Sequence, residues 1–421
     1  MNVCLLNDSF PPSIDGVANV MKNYAEDLTE NGNKVLVVTP DYPGVIDNYP
    51  YDVFRYSSID TEKSVGYRTG NPFSIKAVEA VKQFRPDIYH VHCPMTSCIL
   101  SKTMRDETPA PLVFTYHTKF DIDIQRAIKN HLLQEISIRA IVNNISDCDE
   151  IWVVSEGAGK NLRSLGFKGD YRVMRNGVGF ERGLPDQEAC AAIRAYHECD
   201  DDTPMFLFVG RMMWYKGLKT VIDSLQGLKE AGVKFKMVFV GGGLEEKEIR
   251  QYTMDHNMYG VCDFTGPIRD REKLRQYYGA ADLFMFLSDF DTNGIVVSEA
   301  ASCGCASLLL EGSAAAEEVT DGRNAFLVGR NPVAVAAKLA LLAQDRNHLR
   351  EVGVNAMNEL YFSWKDSVAC AENRYNEILE EYRSGKLKLK KRPIEGVIDK
   401  AMEYGETISN LRNVFEREKW I

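Results

Sequence analysis

The sequence predicts an α/β fold of two doubly wound domains in tandem, and three features of the 421-residue chain point to it. Short apolar, β-branched runs alternate with helical stretches in both halves. The strand runs are almost continuously apolar, which is typical of parallel sheets that helices cover on both faces. The alternation is interrupted once, at the polar, turn-rich segment 177–203, which we take as the linker region. Such sheets bind ligands at the carboxyl ends of their strands, so a cleft between the domains is expected.

Each half supplies the strands and helices of one sheet. The first half has predicted strands at 3–7, 34–40, 52–56, 87–93, 111–117, 150–155 and 171–176, with helices at 17–31, 73–84 and 122–146. The second half has predicted strands at 205–210, 235–241, 261–266, 282–288, 305–310 and 324–328. Its helices are predicted at 217–231, 244–257, 270–280, 294–303 and 332–345.

The end of the chain has a different pattern. A short basic run, KLKLKKR, occupies 386–392. After it, six apolar residues recur at alternating four- and three-residue steps: Val397, Ala401, Tyr404, Ile408, Leu411 and Phe415. This spacing predicts a helix with one narrow apolar stripe. The stripe could dock on its own domain, associate with a second copy or, with the basic run, contact a membrane surface.

Composition limits the class of protein. The net charge of −10 argues against a nucleic-acid partner. No run approaches the roughly 20 apolar residues of a membrane span, and the start MNVCLLNDSF has no basic segment, so no signal peptide is predicted. The 10 cysteines include no CxxC pair, which predicts a reduced, cytoplasmic setting without a zinc site.

Two loops that follow predicted strands could bind a phosphate group. In SFPPSIDGVANV, Gly16 opens a helix whose first amides would form an anion site. In FLFVGRMMWYKG, Arg211 and Lys216 follow a strand, and this pair of cations suits a diphosphate. Each loop has a simpler interpretation, as an ordinary turn or as a solvated loop with two cations.

Two further loops follow strands of the second half. The glycines around Gly242, in VFVGGGLEEKEI, would allow close backbone approach to a ligand, although simple strand-to-helix packing also uses such turns. In SDFDTNGIVVSEAASCG, Thr292 or Asn293 would cap a helix that starts at Gly294 and whose amides suit a phosphate. Glu299 on that helix could accept hydrogen bonds from a ribose diol, and Asp291 could reach another hydroxyl. Helix capping plus a helical acid is the simpler alternative.

Three histidines lie near strand ends in the first half. His90 and His92 share one strand face, and His117 ends VFTYH. A metal site would need a suitably placed third ligand, which the sequence does not indicate, so no metal is predicted. His117 is the better candidate for contact with a substrate, because it lies at the carboxyl edge of the predicted sheet.

The order of these motifs resembles a known family. NDSFPPSIDGVANV, DIYHVHCP, TYHTKF, VMRNGV, VGRMMWYKG, FVGGG and DTNGIVVSEAASCG are similar to motifs of the retaining GT-B glycosyltransferases of the sucrose-synthase-like family, family 4. The resemblance covers residues 1 to about 385 and includes the lipid (diacylglycerol) glucosyltransferase branch. It implies two Rossmann-like domains facing a cleft, at 1–180 on the acceptor side and 181–363 on the donor side. A helix at 364–385 would cross back to the first domain, and 386–421 would be a helical tail.

The resemblance also implies roles for the matched residues. Arg211 and Lys216 would bind the donor diphosphate and stabilise it as leaving group, and Glu299 would hold the nucleotide ribose. His117 would bond the donor sugar, and Gly16 would approach the phosphates or the acceptor. The remaining donor-binding residues would be Asp291, Thr292, Asn293, Gly294, Ile295 and Gly242. The family's Glu-x7-Glu motif reads Asp291-x7-Glu299 here, so its first carboxylate is one methylene shorter.

These roles imply a metal-independent transfer of a hexose, with retained configuration, from a nucleotide-diphosphate sugar to a hydroxyl. A UDP-glucose-like donor is favoured, and no cofactor is expected. The acceptor is either a membrane glycerolipid, reached by peripheral contact with the inner membrane face, or a soluble or polysaccharide precursor. A nucleotide-sugar epimerase and a catalytically silent nucleotide-sugar binding protein remain as alternatives.

Overall fold

The chain folds into two compact α/β units in a computed structural model that describes residues 1–13, 15–61 and 68–390. The first unit comprises Met1–Val154, Ala158–Met174 and the described chain from Val368 to Lys390, and the second comprises Ser155–Gly157 and Arg175–Ser367. Each unit has its own sheet and its own apolar core, as expected for two domains. The apolar stripe at 397–415 lies outside the described residues.

The first unit is built on parallel strands. Its strands are β1 (Asn2–Leu6), β2 (Lys34–Pro40), β3 (Asp52–Tyr56), β4 (Ser58–Ile59), β5 (Thr69–Gly70), β6 (Ile88–Val91), β7 (Leu112–Tyr116), β8 (Glu150–Val153) and β9 (Arg172–Val173). Its helices are α1 (Gly16–Glu30), α2 (Ile75–Phe84), α3 (Thr96–Glu107), α4 (Phe120–Ala127), α5 (His131–Ser146) and, from Ala158 onward, α6 (Glu156–Ser164). Seven strands pair in the order β3-β2-β1-β6-β7-β8-β9, all parallel, and β4 and β5 form a separate antiparallel pair.

The second unit repeats this design. Its elements are α7 (Gln187–Tyr196), β10 (Met205–Val209), α8 (Leu218–Glu230), β11 (Lys236–Val240), α9 (Glu246–Asp255), β12 (Cys262–Gly266), α10 (Arg271–Ala280), β13 (Leu283–Phe286), α11 (Ile295–Ser302), β14 (Ser307–Leu310), β15 (Phe326–Val328), α12 (Pro332–Leu342) and α13 (Arg346–Glu359). Its six strands run parallel in the order β12-β11-β10-β13-β14-β15. The strand order reverses between β10 and β13, which is where open sheets of this kind bind ligands.

The last helix, α14 (Trp364–Arg383), begins in the second unit and continues into the first from Val368. On the first unit, the Tyr375 ring stacks on Trp152 with ring centroids 5.3 Å apart. Arg374 donates its Nε hydrogen to Glu150 Oε1 at 2.8 Å, and Glu372 Oε1 accepts from Asn33 at 2.7 Å. These contacts fix the helix to the first unit by stacking and by charged hydrogen bonds.

The described part of the basic run also lies on the first unit. The Lys390 backbone N–H donates to Asp149 Oδ1 at 2.8 Å, and its ammonium donates to the Cys148 carbonyl at 2.7 Å. Arg105 donates to the Lys390 carbonyl at 2.6 Å and forms an ion pair with Asp149 at 3.0 Å. Leu387 and Leu389 are half-buried while Lys386 and Lys388 are exposed, so the run alternates in the manner of an extended segment on a surface.

Two sequence predictions about helices are wrong. The single helix predicted at 122–146 is two helices, because Ile128 is extended and Asn130 caps a new start, accepting from the Leu132 N–H at 2.9 Å. The segment 177–203 is not only a linker. It contains α7, which the Asp186 side chain caps and which buries Cys190 and Ile193.

The remaining predicted strands and helices correspond to observed elements within a few residues at each end. All ten cysteines are free thiols. Across the described ranges, no helix combines the length and the apolar character that a bilayer crossing requires.

Candidate active site

Three loops lie side by side at the carboxyl edge of the second sheet, because they follow the neighbouring strands β11, β10 and β13. The loop after β10 is tied to the loop after β11 by hydrogen bonds. The Met212 N–H donates to the Gly242 carbonyl at 3.0 Å, and the Trp214 N–H donates to Glu245 Oε2 at 2.6 Å. The sequence-predicted cations, glycines and carboxylates of the second half are therefore neighbours at one edge.

Lys216 and Asp291 form an ion pair between two of these loops, from Nζ to Oδ1. Their side chains are 13% and 20% exposed. Lys216 ends a single 3₁₀ turn, Trp214–Lys216, and Gly217 follows with φ 78°. A Cβ at Gly217 would lie 2.0 Å from the Leu287 carbonyl oxygen, so only glycine allows this approach of the two loops.

Asp291 keeps one acceptor available. Its Oδ2 is buried and has no hydrogen-bond partner within the described part of the chain. Buried carboxylate oxygens are nearly always hydrogen-bonded in folded proteins. The Oδ2 atom therefore marks a place where a donor group from a ligand would be stabilising.

Arg211 differs from Lys216 in its surroundings. It is exposed, and no ion pair or hydrogen bond of its side chain is found among the described residues. A guanidinium in this position can turn toward an anion without breaking an existing contact. The structure thus places one cation in a fixed pair and one free to reorient at the same edge.

The three glycines after β11 differ in whether the fold leaves room for a side chain. Gly241 has φ 136°, and a Cβ there would lie 1.9 Å from the Gly210 carbonyl oxygen. A Cβ at Gly243 would lie 2.5 Å from the Met212 carbonyl oxygen. A Cβ at Gly242 would meet nothing closer than 3.4 Å, at Glu246 Oε2. Loop packing therefore requires glycine at 241 and 243, whereas at 242 the fold itself leaves room.

Helix α11 starts differently from the prediction. Its N-cap is Gly294, with φ 62°, and no side chain caps the first turn, so the predicted cap by Thr292 or Asn293 is wrong. The reason is local: the left-handed glycine turns the chain so that the preceding side chains do not reach the helix amides. Thr292 instead has its carbonyl bonded by the Ser155 hydroxyl at 2.5 Å. The first turn, beginning at Ile295, offers amides without a side-chain cap, which suits an anion.

Glu299 is buried, and each of its carboxylate oxygens has one protein partner. Arg271 Nη1 donates to Oε1 at 3.0 Å, and the Tyr278 hydroxyl donates to Oε2 at 3.1 Å. Burial raises the pKa of the Glu299 carboxyl, and the charge of Arg271 with the two hydrogen bonds opposes that rise. Sequence reasoning did not identify Arg271 or Tyr278, because they lie 28 and 21 residues away from Glu299 along the chain.

The three histidines of the first unit form a buried row at the carboxyl ends of β6 and β7. His92 Nδ1 and His117 Nε2 are 2.9 Å apart, and the rings of His90 and His92 have centroids 4.0 Å apart. Burial lowers the pKa of His117 to about 3 and those of His90 and His92 well below the ordinary value. All three imidazoles are therefore neutral near pH 7 and can donate or accept hydrogen bonds without carrying charge.

Gly16 begins α1, as predicted, but the anion site expected there is partly occupied by the protein itself. The Asp15 carboxylate caps the helix and accepts from the Ala18 N–H at 2.8 Å. A carboxylate at this position repels a second anion. A Cβ at Gly16 would meet nothing within 4 Å, so the fold does not require glycine there.

Comparison with known proteins identifies two domains. Residues 14–182 match the family described as Glycosyltransferase Family 4, and residues 191–359 match Glycosyl transferases group 1. Among curated proteins, the alpha-monoglucosyldiacylglycerol synthase of Streptococcus pneumoniae is 25% identical over 312 residues, which span 72% of this chain and 70% of that protein.

Solved structures show the same fold. Sucrose-phosphate synthase from Thermosynechococcus elongatus superposes with a TM-score of 0.73 at 21% identity, covering 90% of this chain and 99% of that one. Anabaena Alr3699/HepE, crystallised in complex with UDP, also has a TM-score of 0.73, at 17% identity, with coverage of 90% and 100%. The predicted GT-B fold is therefore confirmed.

Proposed function

The chain belongs to the family 4 glycosyltransferases of the GT-B fold, and from that premise we propose that it is a retaining hexosyltransferase. It moves a hexose from a nucleotide-diphosphate sugar to a hydroxyl acceptor, and UDP-glucose is the favoured donor. The observation that carries this proposal is the grouping of Arg211, Lys216 and the uncapped start of α11 at one sheet edge. Positive charge and free amides suit a diphosphate.

The donor extends from that diphosphate in two directions. On one side, Glu299 accepts the ribose hydroxyls. On the other side, Asp291 Oδ2 accepts a hydrogen bond from a hydroxyl of the hexose. Lys216 stays beside Asp291 as its counter-charge. Gly242 lies against the diphosphate, because its Cα carries no side chain where the loops leave room. His117, a neutral donor and acceptor, binds the hexose, while Gly16 contributes less because Asp15 occupies its helix start.

The reaction breaks the bond between the anomeric carbon and the phosphate oxygen, and it forms a bond from that carbon to the acceptor oxygen on the same face. The acceptor hydroxyl proton moves to the departing phosphate oxygen, so atoms and charge balance. Arg211 and Lys216 stabilise the charge that develops on the leaving diphosphate. Because these cations and the α11 amides supply positive charge, the proposal includes no metal ion.

We place the acceptor among membrane glycerolipids. The S. pneumoniae relative is named for a glucosyldiacylglycerol product, which supports this choice for the present chain. Helix α5 of the first unit begins with exposed His131 and Leu132, next to exposed Lys129. An exposed apolar residue beside a lysine suits contact with an anionic membrane surface. The enzyme would then work peripherally at the inner membrane face.

The test is a transfer assay with diacylglycerol in detergent micelles, using UDP-glucose, GDP-mannose and ADP-glucose in the presence of EDTA. We expect release of one nucleotide together with a glycolipid of retained anomeric configuration, read by NMR. Arg211→Ala should slow transfer by roughly 10²–10³. Arg350→Ala, an exposed arginine on α13, is the matched control.

Other outcomes separate the alternatives. An epimerase would convert the sugar nucleotide without releasing a nucleotide, and a silent binding protein would bind it unchanged. Loss of activity in EDTA that Mg²⁺ restores would contradict the metal-free mechanism. Normal turnover by Arg211→Ala would contradict the assignment of the diphosphate site.

A further inference from the structure

Resting on the proposed function, we infer that Arg271 and Tyr278 are positioning residues that hold Glu299 ionised and directed at the donor ribose. Through this arrangement they set the preference for a ribonucleotide over its 2′-deoxy counterpart. Neither residue belongs to the motifs from which the site was predicted. Both come from α10, the helix packed beside α11.

The contacts of Glu299 leave two hydrogen-bond acceptor positions on its carboxylate, one for each hydroxyl of a ribose diol. An ionised carboxylate has about four lone-pair positions. Arg271 uses one on Oε1, and Tyr278 uses one on Oε2. One position therefore remains on each oxygen, which matches the two hydroxyls of a ribose diol. Because each oxygen is held by a separate donor, the carboxylate plane is fixed before the nucleotide arrives.

Arg271 has a support of its own. Its guanidinium lies over the Phe180 ring, 4.1 Å from the centroid, and a Cβ at Gly179 would come within 3.2 Å of Nη2. The absence of a side chain at 179 thus leaves space for the guanidinium. The Arg271 side chain is nevertheless 56% exposed, whereas that of Glu299 is 8% exposed. Arg271 is therefore a surface residue that reaches a buried carboxylate, and the core does not depend on its packing.

The same contacts control protonation. Glu299 is buried, so protonation is the alternative to being paired. The groups that act on it are Arg271 and Tyr278 from α10. The neighbouring Cys303, which follows the last residue of α11, is a thiol whose pKa burial raises to about 11. Without the Arg271 charge, Glu299 becomes protonated as the pH falls, and a protonated carboxyl accepts fewer hydrogen bonds from ribose.

The experiment measures dissociation constants by calorimetry between pH 5 and pH 8. The ligands are UDP and 2′-deoxy-UDP, or the corresponding pair for GDP or ADP if one of these binds wild type more tightly. The variants are Arg271→Gln, Arg271→Lys, Tyr278→Phe and Glu299→Gln. Arg163→Gln is the matched control, because Arg163 also lies over an aromatic ring, that of Tyr171 at 5.0 Å, but in the first unit.

We expect wild type and the control to prefer the ribonucleotide by about tenfold or more throughout the pH range, the value of a hydrogen bond to a charged group. Arg271→Gln should lose that preference progressively as the pH falls, and Arg271→Lys should restore it by returning the charge. Tyr278→Phe should lower the preference at every pH, because it removes a neutral donor. A residue with a merely structural role would change overall affinity without changing this ratio.

Three results would overturn the inference or its basis. If Arg271→Gln keeps both the wild-type ratio and its pH profile, Arg271 does not hold Glu299 for the ribose. If Glu299→Gln also keeps the ratio, Glu299 does not contact the ribose at all. If wild type binds none of the nucleotides, the proposed function fails before this inference is reached. Circular dichroism of each variant ensures that only folded protein is compared.

Discussion

Replacing Lys216 by methionine removes one charge of the Lys216–Asp291 pair and keeps a stem of similar length. The change has two separable consequences. Asp291 loses its counter-charge, which affects folding stability, and the donor diphosphate loses one cation, which affects catalysis. The structure gives a magnitude for each.

The stability effect follows from burial. The two side chains are 13% and 20% exposed, so the pair lies between surface pairs, worth up to about 1 kcal/mol, and broken buried pairs, which cost about 3–5 kcal/mol. We expect a loss of about 2 kcal/mol. In a unit extending over Arg175–Ser367, this corresponds to a fall in Tm of roughly 4–8 °C. Calorimetric unfolding in the absence of nucleotide measures it.

The catalytic effect follows from the charge that develops on the leaving group. Loss of one preorganised cation should lower kcat by roughly 10²–10³. The double variant Lys216→Met with Asp291→Asn separates the two effects. It removes the unpaired carboxylate and should recover most of the lost stability, whereas kcat should stay low because no cation has returned.

Two results would refute this reasoning. If the double variant regains wild-type kcat, Lys216 serves only to neutralise Asp291 and does not act on the diphosphate. If Lys216→Met leaves Tm unchanged, the ion pair contributes nothing to stability, as many surface pairs do. Asp291→Asn alone completes the thermodynamic cycle.

Three further predictions concern stability. Because the pKa of His117 falls to about 3 on folding, its contribution to stability is complete above the unfolded value near 6.5 and is lost as the pH falls below it. From pH 7 to pH 5 the loss that His117 contributes is about 2 kcal/mol. Because His90 and His92 contribute in the same direction, urea unfolding should show a pH-dependent loss that is about 2 kcal/mol smaller in His117→Gln than in wild type. Gly241→Ala should lower the free energy of unfolding by about 3 kcal/mol or more, because its Cβ would meet the Gly210 carbonyl oxygen at 1.9 Å. Gly242→Ala should change the free energy of unfolding by no more than about 1 kcal/mol and should weaken nucleotide binding instead. Equal losses of stability in the two variants would contradict the described loop packing. Asp282→Asn should lower the free energy of unfolding by about 3–5 kcal/mol, because the Asp282 carboxylate forms ion pairs with Arg194 at 2.8 Å and with Arg346 at 2.7 Å. Urea unfolding measures this loss, and a value below about 1 kcal/mol would show that these pairs are dispensable.

The strands and most helices could be predicted because their signal is local. A run such as KVLVVTP is buried along its whole length, and no distant residue is needed to recognise it. The sequence also predicts that three site residues lie near one another, namely Gly241, Lys216 and Asp291. Parallel strands put their carboxyl ends at one edge, and each of these residues follows such a strand.

What could not be predicted depends on pairs of residues far apart in sequence. Nothing in the chain near Glu299 indicates that Arg271 and Tyr278 contact it. The prediction of how α11 begins was wrong for a different reason. Thr292 and Asn293 are good capping residues by type, but the left-handed conformation of Gly294 decides which residue is the cap. The α7 helix was missed because the surrounding segment is rich in turn residues, and one capping aspartate is a weak signal.

The contact of Lys390 with Asp149 has a practical consequence for attaching probes. Asp149 precedes β8 and accepts from the N–H of Leu112, the first residue of β7, so Lys390 is held at the amino edge of the first sheet. The histidine row lies at the other edge, and the five residues of β7, at about 3.3 Å each, put about 17 Å between them. A dye or a surface tether coupled at position 390 would therefore be anchored away from His117. Single-molecule measurements could use that attachment point without covering the residues proposed to bind the sugar.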